Sequence, residues 1–507
     1  PGNKIYLDVT APTEDELAPT VSVVAKESGE GRSVAGRDLF NSNVTVQANV
    51  TDPGEGVRSS GLDQVYYQVL VNDADWTDKV SVSGKGSVKA AGIIGYGTSG
   101  KDYSSPDAVD ENITSQDTIN FGFDANTFNY NDVKIYVWAE DNSGNMLTKS
   151  EAAHYFFGID ITTPTIEVRY DNNDAQNEKY FKADRTATVT ITERNFDPSQ
   201  TVITTESKEI SSWTYQPGSM PNGDDDKWIA TVGYTQDGDY TFDVSTIDLV
   251  GHQAEPADYG DSVAPREFTI DKTRPIISIR FDNDDVRNGK YYNATRTATV
   301  SIEEHNFSTD GVVLTTTADI QEGAVAAPGA GGWSSGGDMN TATVPFTEDG
   351  NYTMHVEYTD LAGNEAEPQD VDEFVVDTTA PELTFSINDE AFDEVTYTPH
   401  AYHGEVVPSI TYHDINYDMS GTQMSIVGAK NVDSQILNGA PAEDAMGGVY
   451  TCENIAETPE NDDVYTCTGK VVDMAGNEST VDFVFSVNRY GSNYILSEAT
   501  QQLVDNY

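Results

Sequence analysis

Apolar and polar residues alternate along most of the chain in runs of five to nine positions. Typical runs are "TATVTIT" from Thr186, "TATVSIE" from Thr297 and "YTMHVEY" from Tyr352. Strict alternation places successive side chains on opposite faces of an extended strand, so that one face is buried and the other meets solvent. Clusters of Gly, Asn, Asp and Pro separate the runs, as turns do. The pattern therefore predicts an all-β chain of short strands.

The runs belong to a repeat whose copies open with an Asp, a short polar stretch and a Pro. The copies read "DITTPTIEVRY" from Asp160, "DKTRPIISIRF" from Asp271 and "DTTAPELTFSI" from Asp377, with a further copy, "LDVTAPTEDEL", around Asp8. The first three begin 111 and 106 residues apart. Pro fixes its own backbone and restricts the residue before it, so we interpret each opening as a stiff, extended joint between modules.

Inside the repeat, further segments keep the same phase. "RTATVTITERNF" from Arg185 returns as "RTATVSIEEHNF" from Arg296. A tyrosine precedes the penultimate apolar run of three copies, at Tyr240, Tyr352 and Tyr465, where an immunoglobulin-like sandwich has its tyrosine corner. About seven short strands in about 100 residues are typical of that fold. We predict tandem immunoglobulin-like β-sandwiches arranged end to end as an elongated rod.

The repeat also predicts the domain boundaries. Residues 1–16 end a preceding module and its linker, and residues 488–507 begin a truncated next one, so we expect the sequence to be a piece of a longer protein. The four predicted modules between them are 17–159, with an insertion at about 73–118, then 160–270, 271–376 and 377–487.

The charge of the chain narrows the range of partners. Its 507 residues carry 85 acidic against 28 basic side chains, a net charge of −57. Nucleic acid and anionic lipid both need a basic surface, so we predict that neither is a partner. With 37% apolar residues the chain can still form packed cores. No apolar run approaches the roughly 18 residues that cross a bilayer.

Five segments carry a family resemblance. They are "DTTAP" from Asp377, "DLAGN" from Asp360, "DMAGN" from Asp473, "RTATVTITERNF" and "VNRYGSNY". The chain resembles the bacterial immunoglobulin-like repeats of large Gram-positive, gut-commensal cell-surface proteins and adhesins. The resemblance implies a monomeric, extracellular rod on the cell surface, anchored to the cell wall through other parts of the protein. It also implies a host extracellular protein or glycan as partner.

The two cysteines, Cys452 and Cys467, are predicted to form a disulfide. Cys467 lies two residues after Tyr465, the spacing of strand F in an immunoglobulin fold. An extracellular protein favours the bond, and closing a loop of roughly 16 residues would contribute about 3 kcal/mol. The alternative is two free thiols buried in the core.

Acidic turns predict a second kind of site. In a sandwich of this topology, turns from one module, the linker and turns from the next module converge at each seam. Ca²⁺ takes six to eight oxygen ligands and tolerates loose geometry. The candidates at the second seam are Asp171, Asp174, Asp271, Glu303, Asn306 and Asp360. The alternative is that these residues only form turns, as Asp and Asn commonly do. We expect no other cofactor.

Catalysis has no candidate residue, because the chain contains none of the nucleophile, phosphate-loop or zinc-protease motifs. We predict a non-enzymatic host-binding segment. Its target would be a host glycoprotein, with immunoglobulin and mucin as candidates. The divergent first and fourth modules are favoured for binding, without specified contact residues. They carry the insertion from Trp76 and the segment "GTQMSIVGAKNVDSQILNGAPAEDAMGGVY" from Gly421. The alternative is that these modules space the catalytic domain of a large secreted carbohydrate-active enzyme.

Overall fold

The structure of the protein is a computed structural model that describes residues 15–26, 32–34, 36–53, 59–97, 113–319, 331–392, 397–430, 435–438 and 446–490. Regular structure in these residues consists of β-strands and six short 3₁₀ helices, which confirms the all-β prediction. The 3₁₀ helices are Thr77–Lys79, Lys149–Glu151, Pro198–Gln200, Thr309–Gly311, Met419–Gly421 and Pro459–Asn461. The chain divides into two compact units, residues 1–272 and 273–507.

The first unit contains two sandwiches. The strands of the first sandwich are β1 (Thr20–Lys26), β2 (Arg32–Val34), β3 (Arg37–Phe40), β4 (Val44–Thr51), β5 (Leu62–Val71), β6 (Ala74–Asp75), β7 (Ser81–Ser83), β8 (Ser87–Ala90), β9 (Ile93–Gly95), β10 (Gln116–Phe123), β11 (Val133–Asp141) and β12 (Ala153–Ile159). One sheet has the order β1-β4-β10-β7. The other has the order β2-β3-β12-β11-β5-β9-β8, with β6 paired to β5.

The strands of the second sandwich are β13 (Thr165–Tyr170), β14 (Tyr180–Phe181), β15 (Arg185–Thr192), β16 (Val202–Thr205), β17 (Glu209–Ile210), β18 (Thr214–Gln216), β19 (Lys227–Tyr234), β20 (Gly238–Ser245) and β21 (Glu267–Ile270). Its sheets have the orders β13-β15-β19-β17, with β18 on β19, and β14-β21-β20-β16. Along β15 every second side chain is buried, as the alternation predicts for a strand with one face on a core.

The second unit contains the third and fourth sandwiches. The third is formed by β22 (Ile276–Phe281), β23 (Tyr291–Tyr292), β24 (Arg296–Glu303), β25 (Val312–Asp319), β26 (Ser334–Gly336), β27 (Met339–Phe346), β28 (Gly350–Tyr358) and β29 (Gln369–Val376). The fourth is formed by β30 (Glu382–Ile387), β31 (Glu390–Phe392), β32 (Ala401–Tyr402), β33 (Pro408–His413), β34 (Gln423–Gly428), β35 (Gln435–Asn438), β36 (Gly447–Thr451), β37 (Val464–Val472) and β38 (Glu478–Val487).

The sheets of the third sandwich have the orders β22-β24-β27-β26 and β23-β29-β28-β25. Those of the fourth have the orders β31-β30-β33-β36 and β32-β38-β37-β34-β35. Each of the four sandwiches has its own buried hydrophobic cluster. The prediction of tandem immunoglobulin-like sandwiches is confirmed. The end-to-end rod and the module boundaries stay predictions.

Near the start of each sandwich a short strand crosses to the opposite sheet and pairs in parallel with the last strand. The pairs are β3 with β12, β14 with β21, β23 with β29 and β32 with β38. In the second sandwich the amide of Thr269 donates to the carbonyl of Lys179 at 3.0 Å, and that of Asp271 to the carbonyl of Phe181 at 2.9 Å. In each sandwich, a short strand near its start is thereby hydrogen-bonded to its last strand.

The three corner tyrosines make the backbone bond that defines this feature. The hydroxyl of Tyr240 donates to the carbonyl of Gln236 at 2.9 Å. Tyr352 and Tyr465 make the same bond to the residue four positions earlier, at 2.7 and 3.0 Å. Each hydroxyl therefore ties the turn before its strand to the edge of the core.

A buried arginine completes the cores of the second and third sandwiches. The Arg185 guanidinium lies 3.7 Å from the ring centre of Tyr170, 4.2 Å from that of Phe181 and 4.5 Å from that of Phe268. Its nitrogens donate to the carbonyl oxygens of Asn172, Val263 and Ala264. Arg296 has the same position in the third sandwich, over Phe281, Tyr292 and Phe374. Cation–π contacts and satisfied donors allow the charge to be buried.

The described part of the insertion in the first sandwich is built into both sheets. β7 pairs with β10 in one sheet, while β9 pairs with β5 in the other. Asp117 holds the connection, because its carboxylate accepts the hydroxyl of Tyr96 at 2.6 Å and the amide of Lys85 at 2.9 Å. Trp76 packs against Phe128 and Tyr130. Residues 98–112 of the insertion lie outside the described residues.

The predicted disulfide is not present in the structure. Cys452 and Cys467 are free and buried, and they belong to opposite sides of the fourth core: Cys452 follows β36, whereas Cys467 lies on β37 in the other sheet. The sulfur of Cys452 lies 3.4 Å from that of Met424. Burial raises the pKa of the Cys452 thiol to about 12. Both side chains therefore fill the core as small, protonated hydrophobes, the alternative that the sequence left open.

Candidate functional site

Buried carboxylates meet in groups of three where the chain enters a sandwich. Within each group, carboxylate oxygens lie within 4.8 Å of one another. We call these groups the Asp15 triad (Asp15, Asp52, Asp141), the Asp160 triad (Asp160, Glu193, Asp248) and the Asp377 triad (Asp377, Asp414, Asp473). None of the nine side chains is more than 9% exposed. Charged groups are rarely buried without a partner, so each triad needs a source of positive charge or of protons.

The same three elements supply each triad. One acid lies in the segment that precedes the first long strand of the sandwich. A second directly follows β4, β15 or β33, and a third lies at or just after the end of β11, β20 or β37. These strand ends lie at the same end of the sandwich. The fold therefore gathers acids that are far apart in the sequence.

The third acid is held by a tight loop of its own. In the Asp15 triad, Asp141 accepts the amides of Ser143 and Asn145 on Oδ1, both at 2.8 Å, and the Asn145 side chain on Oδ2 at 2.8 Å. Asp473 and Asn477 make the corresponding bonds in the Asp377 triad. Gly144, at φ +83°, provides the left-handed turn that closes this loop, a conformation that favours glycine. The carboxylate of the third acid is thus held in place by its own loop.

The Asp160 triad contains its own positive charge. The Arg194 guanidinium lies 3.1 Å from Oδ1 of Asp160, and both side chains are at most 2% exposed. Arg194 also pairs with Asp224, beside the triad. His252 replaces the asparagine of the other loops, and its Nδ1 lies 3.0 Å from Oδ2 of Asp248. Burial, together with the negative charge of Asp160, raises the pKa of Glu193 to about 8. A proton on Glu193 and the Arg194 charge therefore offset the buried anions.

The Asp377 triad is held by asparagine side chains. Nδ2 of Asn416 donates to Oδ2 of Asp377 at 2.7 Å, and Nδ2 of Asn477 to the carbonyl oxygen of Asp377 at 2.9 Å. Burial raises the pKa of Asp377 to about 6 and that of Asp414 to about 7. A cleft of about 530 Å³ opens beside Asp377 and Asn416. Hydrogen bonds from Asn416 and Asn477, and protons on Asp377 or Asp414, can therefore offset the charge of this triad.

The Asp15 triad differs from the other two in its unsatisfied oxygens. Oδ2 of Asp52 accepts the Ser59 hydroxyl at 2.7 Å and the Gly61 amide at 2.6 Å. Its Oδ1 and the hydroxyl of Ser60 are buried and have no hydrogen-bond partner among the described residues. Burial raises the pKa of Asp52, and the charges of Asp15 and Asp141 raise it further.

The calcium candidates predicted from the sequence lie in several places. Oδ1 of Asp171 accepts the Thr186 amide at 2.7 Å, and Asp174 is an exposed turn residue whose amide donates to Asn172. Neither belongs to a group of three carboxylates among the described residues. Both make hydrogen bonds at the turn that follows β13.

The other candidates lie at strand ends. Asp271 directly follows β21. Glu303 is exposed at the end of β24, whereas its neighbour Glu304 is buried and lies with Asp360, their carboxylate oxygens within 4.8 Å. The amide of Asn306 donates to Oε1 of Glu304 at 2.6 Å. Calcium binding by the six predicted residues stays a prediction. The alternation of buried positions along β24 was the signal that favoured Glu304 over Glu303.

A second candidate surface lies on the outward side of the first sandwich. The aromatic face consists of Tyr66 on β5, Tyr136 and Trp138 on β11, and His154 and Phe156 on β12. The rings of Tyr66 and Trp138 stack at 5.7 Å, and those of His154 and Phe156 at 4.7 Å. Tyr136 contacts Phe156 at 5.8 Å, and Phe156 is 37% exposed. Large rings on the solvent side of a sheet are typical of binding surfaces.

In the second sandwich, the positions that correspond to Tyr136 and Trp138 are polar. Counted back from the loop aspartate, Asp243 and Ser245 on β20 correspond to Tyr136 and Trp138, and both are exposed. On β28 the same positions are His355 and Glu357. The repeat thus keeps polar residues at these positions in two sandwiches and replaces them with aromatic residues in the first.

One protein family matches part of the chain. The family of bacterial Ig-like domains matches residues 291–377 and 441–488. No curated protein matches. Among the described residues, no helix has the length and apolar character to cross a membrane.

Several solved structures resemble the chain at low sequence identity. A tetra-tandem repeat from the extending region of a large adhesion protein is 16% identical, with 93% of this chain and 100% of that chain covered and a TM-score of 0.37. Invasin, a bacterial integrin-binding protein, is 12% identical, with 92% and 79% covered and a TM-score of 0.34. The D1–D4 ectodomain fragment of ICAM-5 is 10% identical, with 92% and 100% covered and a TM-score of 0.33.

Proposed function

Since the chain carries bacterial immunoglobulin-like repeat modules, we propose that it is a non-catalytic, extracellular segment of a bacterial cell-surface protein that adheres to a host glycoprotein. The second and third sandwiches serve as stalk in this proposal, and the first provides a binding surface. Immunoglobulin and mucin are the candidate targets.

The aromatic face is the observation that carries the proposal. Tyr and Trp supply large contact areas at small entropic cost and dominate the binding energy of many protein interfaces. Stacked rings also suit the apolar faces of sugars, while the Tyr66 hydroxyl and Glu140, bonded at 2.9 Å, supply polar groups beside them. A glycoprotein offers both kinds of contact. At the positions of Tyr136 and Trp138, the second sandwich carries Asp243 and Ser245, and the third carries His355 and Glu357.

The matched variant takes its residues from the chain itself. Y136D/W138S gives the first sandwich the residues of the second at these outward positions. We expect the full chain to bind purified intestinal mucin or secretory immunoglobulin in a surface-plasmon-resonance assay. We expect the double variant to bind at least about tenfold more weakly, because losing one aromatic anchor commonly costs 2 kcal/mol or more.

The control and the contrary outcome are equally specific. Ser245→Ala changes the corresponding surface of the second sandwich and should leave affinity unchanged. Equal binding by the double variant and the wild type would remove the aromatic face from the proposal. Failure of the wild type to bind either target would contradict the choice of targets.

A second function uses the same modules as spacers in a large secreted carbohydrate-active enzyme. The divergence of the first sandwich favours adhesion over this alternative, because a spacer has no need of an aromatic face. The sequence of the gene on either side of this segment distinguishes the two functions. A catalytic domain there supports the enzyme, and a wall anchor with further repeats supports the adhesin.

A further inference from the structure

We propose that the first sandwich binds a neutral sugar residue in a cleft beside its aromatic face, with Trp138 as the stacking surface and Gln68 as a hydrogen-bonding partner. The cleft has a volume of about 530 Å³. This inference rests on the adhesive function proposed above, and it names the glycan as the part of the host glycoprotein that this surface binds.

The cleft is formed jointly by the sheet and by the insertion. Gln68 on β5 and Trp138 on β11 line it from the sheet, whereas Asp78 lines it from the 3₁₀ helix Thr77–Lys79 and Gly92 from the turn between β8 and β9. Backbone bonds hold these walls, since the amide of Tyr67 donates to the carbonyl of Gly92 at 3.0 Å. The volume lies within the range of about 300–1,000 Å³ that is usual for small-ligand pockets.

The aromatic side of the cleft suits the apolar face of a sugar ring. Trp138 lines the cleft and is half-buried, and its ring stacks on that of Tyr66 at 5.7 Å. The hydroxyl of Tyr66 donates to Oε2 of Glu140 at 2.9 Å, which fixes the orientation of the stacked pair. The C–H groups on one face of a pyranose are attracted to the negative face of such a ring. The aromatic face therefore continues into the cleft through Trp138.

The polar side of the cleft contains an unpaired acceptor. Nε2 of Gln68 donates to Oδ2 of Asp75 at 3.2 Å, but Oε1 of Gln68 is buried and has no hydrogen-bond partner among the described residues. Buried polar atoms are nearly always paired in native proteins. A sugar hydroxyl both donates and accepts, so a sugar in the cleft would supply the donor that Oε1 of Gln68 lacks.

The charge of the cleft selects a neutral sugar. Of the residues that line it, Asp75 and Asp78 are acidic and Lys149 is basic. Hydrogen bonds from Thr77 and Gln68 lower the pKa of Asp75, so this carboxylate is ionised at neutral pH. A lining with a net negative charge repels the carboxylate of sialic acid and the sulfate of a sulfated sugar. We therefore assign a hexose or N-acetylhexosamine rather than an acidic sugar.

The test uses oligosaccharides released from intestinal mucin and separated into neutral and sialylated fractions. Saturation-transfer NMR on the full chain detects bound sugars through magnetisation passed from protein to sugar protons. We expect transfer to the C–H protons of the neutral fraction and several-fold less to the sialylated fraction at the same concentration. No transfer to the neutral fraction would overturn the proposal. Equal or stronger transfer to the sialylated fraction would overturn the choice of a neutral sugar.

The matched variants lie on one face of one strand. Gln68→Leu keeps the size of the side chain and removes its amide, so we expect affinity for the neutral fraction to fall about five- to tenfold. Gln64→Leu, four residues earlier on the same face of β5, does not line the cleft and should leave affinity unchanged. Equal affinity of Gln68→Leu and wild type would contradict the role of Gln68.

A second variant keeps the test valid if Gln68→Leu folds poorly. Ala91 is exposed on the rim of the cleft, in the turn between β8 and β9. Ala91→Trp adds bulk at the rim without altering the core, so we expect an unchanged melting profile and loss of transfer to the neutral fraction. Undiminished transfer in a folded Ala91→Trp variant would overturn the location of the site.

Binding of intact mucin separates this inference from the proposed function. A chain that binds mucin equally well before and after chemical removal of its glycans would overturn the sugar site and leave adhesion in place. A chain that binds the neutral oligosaccharides but not intact mucin would support the sugar site and contradict mucin as the target.

Discussion

At the scale of single residues, the sequence did not reveal that Arg185, which opens "RTATV", is part of a core. Polar residues alternate with apolar ones in this run, and Arg185 falls in phase with the buried set of β15. An arginine at such a position is easily taken for a strand end in solvent. It is buried instead, because three rings and three carbonyl oxygens surround the guanidinium. This combination depends on residues far apart in the sequence.

Arg185→Lys should destabilise the second sandwich by at least about 2 kcal/mol. An ammonium group cannot stack on the three rings or donate in the planar fork that reaches the carbonyls, and its charge is costlier to bury. Calorimetric melting of the full chain should show one transition lowered by about 10 °C, given about 4–8 °C per kcal/mol for a domain of this size. Arg280→Lys, on the exposed side of β22, is the control and should leave all transitions in place. An unshifted profile for Arg185→Lys would contradict this role.

Glu193 makes the stability of the second sandwich depend on pH. Its pKa is raised from 4.5 to about 8 by burial and by Asp160, so the folded state holds the proton more tightly than the unfolded chain. The contribution of Glu193 to the free energy of unfolding is therefore favourable at acid pH and is lost as the pH rises from about 4.5 to about 8. Glu193→Gln keeps the shape without the charge.

We expect Glu193→Gln to match the wild type near pH 5 and to exceed its melting temperature near pH 9, by a margin worth more than about 1 kcal/mol. Calorimetry in EDTA at both pH values measures this difference. Glu255→Gln, on an exposed loop of the same sandwich, should behave like wild type at both. A variant effect of equal size at both pH values would contradict the raised pKa.

At the scale of elements, alternation predicted the strands well because each strand has one face on a core. The same alternation also indicates which acid at the end of β24 is buried. Ala298, Val300, Ile302 and Glu304 form one buried series along β24 and just beyond it, so the buried acid is the residue in phase, whereas Glu303 points outward. Asp171 and Asp174 follow β13 and make hydrogen bonds at the turn after it. Which acids meet depends on strand ends that only the folded sheets bring together.

The divergent segments were harder to interpret. The insertion of the first sandwich has a loop-like composition of Gly, Ser and Lys, yet it contributes β7, β8 and β9. Its strands are stabilised by pairing with β10 and β5, a tertiary effect that composition does not contain. The aromatic face escaped notice for a related reason. Tyr, Trp and Phe are typical of strands on either face, and only the structure shows which face they occupy.

At the scale of the whole molecule, the net charge of −57 acts on the surface and the interior in different ways. On the surface it favours solubility and discourages self-association. In the interior it appears as buried triads, and in the Asp160 triad Arg194 and the raised pKa of Glu193 offset the charge. The fold class followed from the sequence because four repeated patterns agree with each other. The partner did not follow, because binding depends on a surface that differs between repeats.

In each sandwich, the parallel pairing of a short early strand with the last strand has a mechanical consequence. Tension applied to the two ends of the second sandwich, once β13 has separated from β15, pulls β14 and β21 past each other, across bonds that lie side by side. Such bonds share the load and break together. Tension through handles flanking β20 and β21, whose ends Gly238 and Ile270 face each other, opens that pair one bond at a time. We expect single-molecule pulling to give a clearly higher rupture force in the first geometry, and equal forces would contradict it. In the adhesive function proposed above, this parallel pair would resist tension along the sandwich.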